Sequence, residues 1–148
     1  MRQAFTMIEL IFVILIIGLL AGIAVPKFLA TRDDAKVSQI MHNVATASQE
    51  IATYAMSRGT IESDFVKMSN AVLTMIGASE AVQSGDMLNV KMGNASECLT
   101  MTIDNTNNVK IINISHGNTQ GDTNCIALQN IMDEKRYDIP ISGQFIKH

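Results

Sequence analysis

Residues 10–25 read LIFVILIIGLLAGIAV, sixteen consecutive positions without a charge, and this run constrains the chain more than any other feature. Extended back to Phe5 it is 21 residues long, and a helix of that length spans roughly 31 Å, about one bilayer core. It can cross a membrane once, so a purely cytosolic soluble protein is disfavoured. A cleavable secretory signal is the competing reading, since Gly22-Ile23-Ala24 offers a small-x-small site. Three features oppose it: the length of the run, an amino-terminal region whose only charged side chain is Arg2, and an acid, Glu9, inside the segment. Positive-inside counting leaves the orientation open, with Arg2 on one side and Lys27, Arg32 and Lys36 on the other.

Glu9 needs a physical explanation, because a carboxylate near the centre of a bilayer costs about 2.5–3.5 kcal/mol. Two readings are open. The acid lies close to the start of the segment, where it can sit at the membrane interface. Alternatively it meets a cation on another copy of the chain, which makes it an assembly device.

The run Ala4-Phe5-Thr6-Met7-Ile8-Glu9-Leu10, with a four-residue leader before Phe5 and an apolar helix containing Gly18, Gly22 and Pro26 after it, resembles the class III signal of type IV pilins and type II secretion pseudopilins. The resemblance covers residues 1–55. It implies cleavage after Ala4 by a prepilin peptidase on the cytoplasmic face and methylation of the new amino terminus at Phe5. It also implies that Glu9 neutralises the terminal amine of a neighbouring subunit in a filament. Ala4 stands where the family usually has glycine, and Met7 replaces the more usual leucine with little change in volume. The residues carry the same idea on their own: the amine of Phe5 and the carboxylate of Glu9 are one helical turn apart, so axially offset copies bring opposite charges together where water is scarce.

Beyond Pro26, the positions Val37, Ile40, Met41, Val44, Ser48, Ile51, Ala52 and Ala55 follow helical spacing with one polar interruption, and Gly59 after Arg58 is the stop signal. One helix over residues 5–58 is predicted, roughly 80 Å long, divided into a membrane or filament-core half at 5–25 and an amphipathic half at 26–58. Pro26 has no N–H and its ring opposes the carbonyl of Gly22, so a kink or loosening is expected there. Gly18 and Gly22 form a GxxxG spacing, which by itself signifies close helix packing. The resemblance adds that the stretch between such a glycine and proline, here Gly18 through Pro26, unwinds in assembled filaments and gives them extensibility.

Residues 59–148 form the expected globular domain. Ser63 or Asp64 caps a second helix carrying Phe65, Met68, Val72, Leu73 and Ile76 and ending at Gly77. Strands are expected around Leu88-Asn89-Val90-Lys91-Met92, from Cys98 to Ile103 and from Val109 to Ile114, the last two joined across Asp104-Asn105-Thr106-Asn107-Asn108. An edge strand is expected from Tyr137 to Lys147. The fold class is therefore α+β, a pilin-like long helix packed against a small antiparallel meander. Cys98 and Cys125 are an even pair in a chain bound for export, and they are read as a structural disulfide, not a CxxC redox pair. The polar stretch from His116 to Asn124 is read as a solvated loop, with a subunit or ligand contact as its alternative.

Chemistry-bearing motifs do not stand out. No GxSxG, HExxH, Walker A or GxGxxG sequence occurs, and His42, His116 and His148 lack metal spacing. Major pseudopilins of type II secretion bind calcium in a carboxy-terminal loop, whereas Asp122 with Asp133 or Asp138 makes no recognisable ligand run. Neither a catalytic residue, a metal nor a cofactor is expected. With 11 basic against 14 acidic side chains and no basic tract, direct nucleic-acid binding is disfavoured. The expected function is a structural subunit of a type IV pilus-like or type II secretion pseudopilus filament. Its partners are further copies of itself, minor pilins or pseudopilins, the prepilin peptidase, an inner-membrane assembly platform with its ATPase, and membrane lipid before assembly. The alternative is a monomeric binding protein or enzyme tethered in the inner membrane, with its domain in the periplasm.

Overall fold

A computed structural model of the chain describes residues 6–106, 109–132 and 139–140. The first element is α1, Met7–Arg58, a helix of 52 residues. The chain divides into two compact units, Met1–Ala35 and Lys36–His148.

In the first unit almost every described side chain of α1 is exposed, including the large apolar ones from Met7 to Leu29. The helix continues without interruption through Gly18, Gly22 and Pro26. Since Pro26 carries no N–H, the Gly22 carbonyl lacks its usual helical donor at that step.

In the second unit α1 is amphipathic as its spacing predicts. Val37, Ile40, Val44, Ala47, Ile51, Ala52 and Ala55 are buried. Ser48, the polar interruption, is fully buried as well, and its hydroxyl donates to the Val44 carbonyl at 2.9 Å, so no polar group is left unsatisfied on that stripe. The helix stops where expected: Gly59 adopts φ +67° and its N–H donates to the Ala55 carbonyl.

Two short helices follow where one was expected. Helix α2, Phe65–Met68, is capped by Asp64, and α3, Asn70–Gly77, by Ser69, which is itself extended. The break has a physical cause. The Ser69 hydroxyl accepts from the Val72 N–H and donates to the Glu50 carboxylate on α1, holding the chain out of helical geometry. The interruption resets the phase, so Phe65, Met68, Val72 and Met75 face inward while Leu73 turns to solvent.

The sheet is an antiparallel meander in the order β1-β2-β3-β4-β5. Its strands are β1 Ala81–Ser84, β2 Met87–Met92, β3 Ala95–Thr106, β4 Val109–Asn118 and β5 Ile139–Pro140. Strand β1 escapes a reading based on apolar alternation, being only four residues long. Its signal is the Gly85-Asp86 turn, which like Gly93-Asn94 places glycine at φ near +60° in a two-residue hairpin loop. Strands β3 and β4 outrun the expected ones because backbone pairing continues from Ile103↔Ile112 to Thr106↔Val109. The connection between them therefore shrinks to residues 107–108. Of the expected edge strand, Ile139 and Pro140 pair with β4 at Ile112 and Ile111; Tyr137, Phe145 and the other residues of that stretch lie outside the described ones.

Leu88, Val90 and Met92 of β2, Leu99 and Met101 of β3, and Ile112 and Ile114 of β4 share one core with the buried stripe of α1. Burying each of these large side chains contributes about 1.5–3 kcal/mol.

Of the stretch from His116 to Asn124, only Thr119 to Asp122 forms the expected turn between elements. His116-Gly117-Asn118 belongs to β4, and Thr123 begins α4, Thr123–Ile131, which presents Cys125 and Leu128 inward. Asp122 is the residue that turns the chain into this helix.

Candidate functional site

The feature that sets this chain apart is the exposed apolar part of α1. Over residues 7–29 it is long and apolar enough to cross a membrane, and Glu9 is the only charged side chain before Lys27. Ala4 and Phe5, the expected processing residues, lie outside the described residues.

Glu9 occupies the first turn of α1 and closes a reciprocal cap with Thr6. The Thr6 N–H and hydroxyl both donate to Glu9 Oε2, at 2.8 and 2.6 Å, and the Glu9 N–H approaches the Thr6 hydroxyl at 3.4 Å. This is the capping-box arrangement, which meets donors that a helix start otherwise leaves without partners. Its signature, Thr6-x-x-Glu9 before an apolar run, was present in the sequence. This cap answers part of the acid's need inside the chain, on one of its two oxygens.

Gly18 and Gly22 are open: a side-chain carbon added at either would meet nothing within 4 Å. That surface can accept the close approach of another helix, as GxxxG spacing does in membranes.

In the second unit, three carboxylates organise the structure. Glu50 Oε2 receives the Ser69 hydroxyl at 2.6 Å and the Ala71 N–H at 3.0 Å, which fixes α1 to the start of α3. These bonds hold its carboxyl below the ordinary glutamate value, the Ser69 hydroxyl being the largest cause. Glu50 lies in a groove of about 480 Å³ with Thr46, Gln49, Thr53, Lys67 and Asn70. Glu80, buried to 8% exposure, takes the Lys36 ammonium on Oε1. Asp122 Oδ1 accepts from the Asn124 and Cys125 N–H groups at 2.9 and 3.0 Å, and Oδ2 accepts from the Asn94 N–H at 3.0 Å. Its carboxyl is held below the ordinary aspartate value, first by the Asn94 N–H. Both oxygens are engaged by backbone.

The signs follow from these shifts. Glu50 and Asp122 have lowered folded-state pKa values, so their stabilising contribution is present above the unfolded values of about 4. It is lost as pH falls through the folded values. The melting temperature of the full chain is therefore expected to stay level from pH 7 to about pH 5 and to fall below about pH 4. Glu50→Gln with Asp122→Asn should lower the plateau and flatten that fall, measured by circular dichroism.

Cys98 and Cys125 are bonded, with Cα atoms 5.6 Å apart, and they join β3 to α4. Gln129 adds to this tie by donating to the Cys98 and Gly117 carbonyls at 2.7 and 3.0 Å. Glycine at 117 is required by close approach, since a side-chain carbon there would sit 1.8 Å from the Glu97 carbonyl oxygen. Residues 93 and 122 are equally interlocked: a carbon on Gly93 would collide with the Asp122 carboxylate. His42 and His116 are exposed, and His116 Nε2 contacts the Met132 carbonyl. Asp133, Asp138 and His148 lie outside the described residues. Sequence reading missed Glu50, Glu80 and Gln129, whose roles depend on long-range placement. It also underread Asp122, although an Asp before a helix start is a local signal.

Compared with protein-family models, curated proteins and solved structures, the chain matches none.

Proposed function

We propose that this chain is a structural subunit of a type IV pilus-like or type II secretion pseudopilus filament. It is held in the inner membrane by the apolar part of α1, with the disulfide-tied α+β domain in the periplasm. The observation that carries the reading is an uninterrupted helix that leaves large apolar side chains exposed from Met7 to Leu29, with a carboxylate in its first turn. Such a surface must be covered, by lipid in the single chain and by sister helices after assembly.

In this reading a prepilin peptidase removes residues 1–4 and methylates Phe5. The terminal amine of one subunit meets Glu9 of another, Gly18 and Gly22 let helices approach, and Gly18 to Pro26 is the stretch that unwinds to give extensibility. An assembly platform and its ATPase lift the subunits out of the membrane. Minor pilins or pseudopilins complete the filament.

A second reading has its own support. Thr6 answers Glu9 within the chain, as a plain membrane tether would need. Mass spectrometry of the mature protein separates the two. A terminus at methylated Phe5 is expected. An intact Met1, or a terminus at Val25, removes the filament reading.

A further inference from the structure

We propose that Lys27, Arg32 and Asp33 form an ionic seam against the same stretch of α1 in a second copy of this chain, in register with the contact between Phe5 and Glu9. The inference deepens the filament reading and rests on it.

All three side chains are exposed, and none enters an ion pair among the described residues. Their spacing explains why. On a helix, pairing needs an opposite charge three or four positions away. Lys27 has Ile23, Ala24, Ala30 and Thr31 at those positions, and Arg32 has Phe28, Leu29, Ala35 and Lys36. Neither set holds an acid. Asp33 has one base at such spacing, Lys36, and the Lys36 ammonium is held by the buried carboxylate of Glu80. Two cations and an anion are thus left without local partners, on a helix whose preceding part already demands cover.

The partner follows from the charge pattern and the helical rise. Placing the amine of one copy level with Glu9 of the next offsets the two helices by about four residues, roughly 6 Å. Copies related by one screw operation keep that offset along their whole length, whatever happens between Gly18 and Pro26. Residues 29 and 30 of the first copy then lie level with 33 and 34 of the second. Lys27 and Arg32 flank that level on either side, each about 4 Å away along the axis. Both long side chains reach an aspartate across such a gap. One offset therefore satisfies the charges at the two ends of the apolar run.

The test uses the full-length chain in its own host. Filament yield in the sheared fraction is measured for Lys27→Glu, Asp33→Lys and the double variant. Each single change is expected to cut yield about tenfold by replacing attraction with repulsion, and the double variant to recover to within about threefold. Co-expressed Lys27→Cys and Asp33→Cys chains should form a mixed disulfide dimer. Wild-type yields from both single variants, or no recovery in the double, would overturn the seam. Should Glu9→Val still abolish filaments in that case, the filament reading survives without it. A wild-type chain that gives neither filaments nor dimers sinks both.

Discussion

Glu9→Val is expected to insert into the membrane as well as wild type and to form no filaments. The substitution removes the only charged side chain between Arg2 and Lys27, so insertion becomes easier on hydrophobic grounds. On the proposed filament reading, assembly suffers because the terminal amine of each incoming subunit would enter an apolar filament core without a counter-charge. Breaking one side of a buried ion pair costs about 3–5 kcal/mol, and that raises the critical concentration by roughly 10²–10⁴. Because Glu9 also closes the cap with Thr6, the valine variant alone confounds two losses. Glu9→Gln resolves them, since glutamine serves a capping box as well as glutamate does but carries no charge. If the glutamine variant fails like valine, charge pairing is the role. Full assembly by Glu9→Gln would assign Glu9 to helix capping and remove the pairing idea. The measurements are carbonate-resistant membrane association and filament yield by electron microscopy.

The second large effect is expected from Cys98→Ser with Cys125→Ser. The bridge closes a separation of 27 residues, for which the chain-entropy treatment gives about 3.5 kcal/mol. For a domain of this size that corresponds to a melting temperature lower by roughly 15–25 °C. Asp122 and Gln129 remain as hydrogen-bonded ties between α4 and the sheet, so the variant should still fold at low temperature. Thermal melts followed by circular dichroism, with the wild type under reducing conditions as comparison, read this directly. An unchanged melting temperature would show that those side-chain ties hold α4 by themselves.

What could be read in advance depended on whether the cause was local. The inward stripe from Val37 to Ala55, the stop at Gly59 and the alternation at Leu88, Val90 and Met92 are periodic or local signals, and each appears in the fold. The split between α2 and α3 was hidden, because Ser69 looks like an ordinary helical position until Glu50, nineteen residues earlier in the chain, reaches its hydroxyl. Helix α4 was obscured by composition: Thr123, Asn124, Gln129 and Asn130 give it the polarity of a loop, and only Cys125 and Leu128 mark its inward face. At the amino terminus the apolar run and its acid were plain, whereas the bond from Thr6 followed from a short motif that a focus on charge pairing passed over. The lesson is specific. An acid three residues after a threonine should first be asked whether it caps.

The strict neighbour-to-neighbour order of the meander bears on how the domain would be built if, as proposed, it is exported. Each strand from β1 to β4 finds its partner in the hairpin just before or after it, so pairing needs only small loop closures of the kind that form in microseconds. A polypeptide emerging from a translocation channel can zip its sheet in the order of synthesis, without waiting for its far end. Oxidation of Cys98 must wait for Cys125 and therefore comes late, locking a sheet that has already chosen its register.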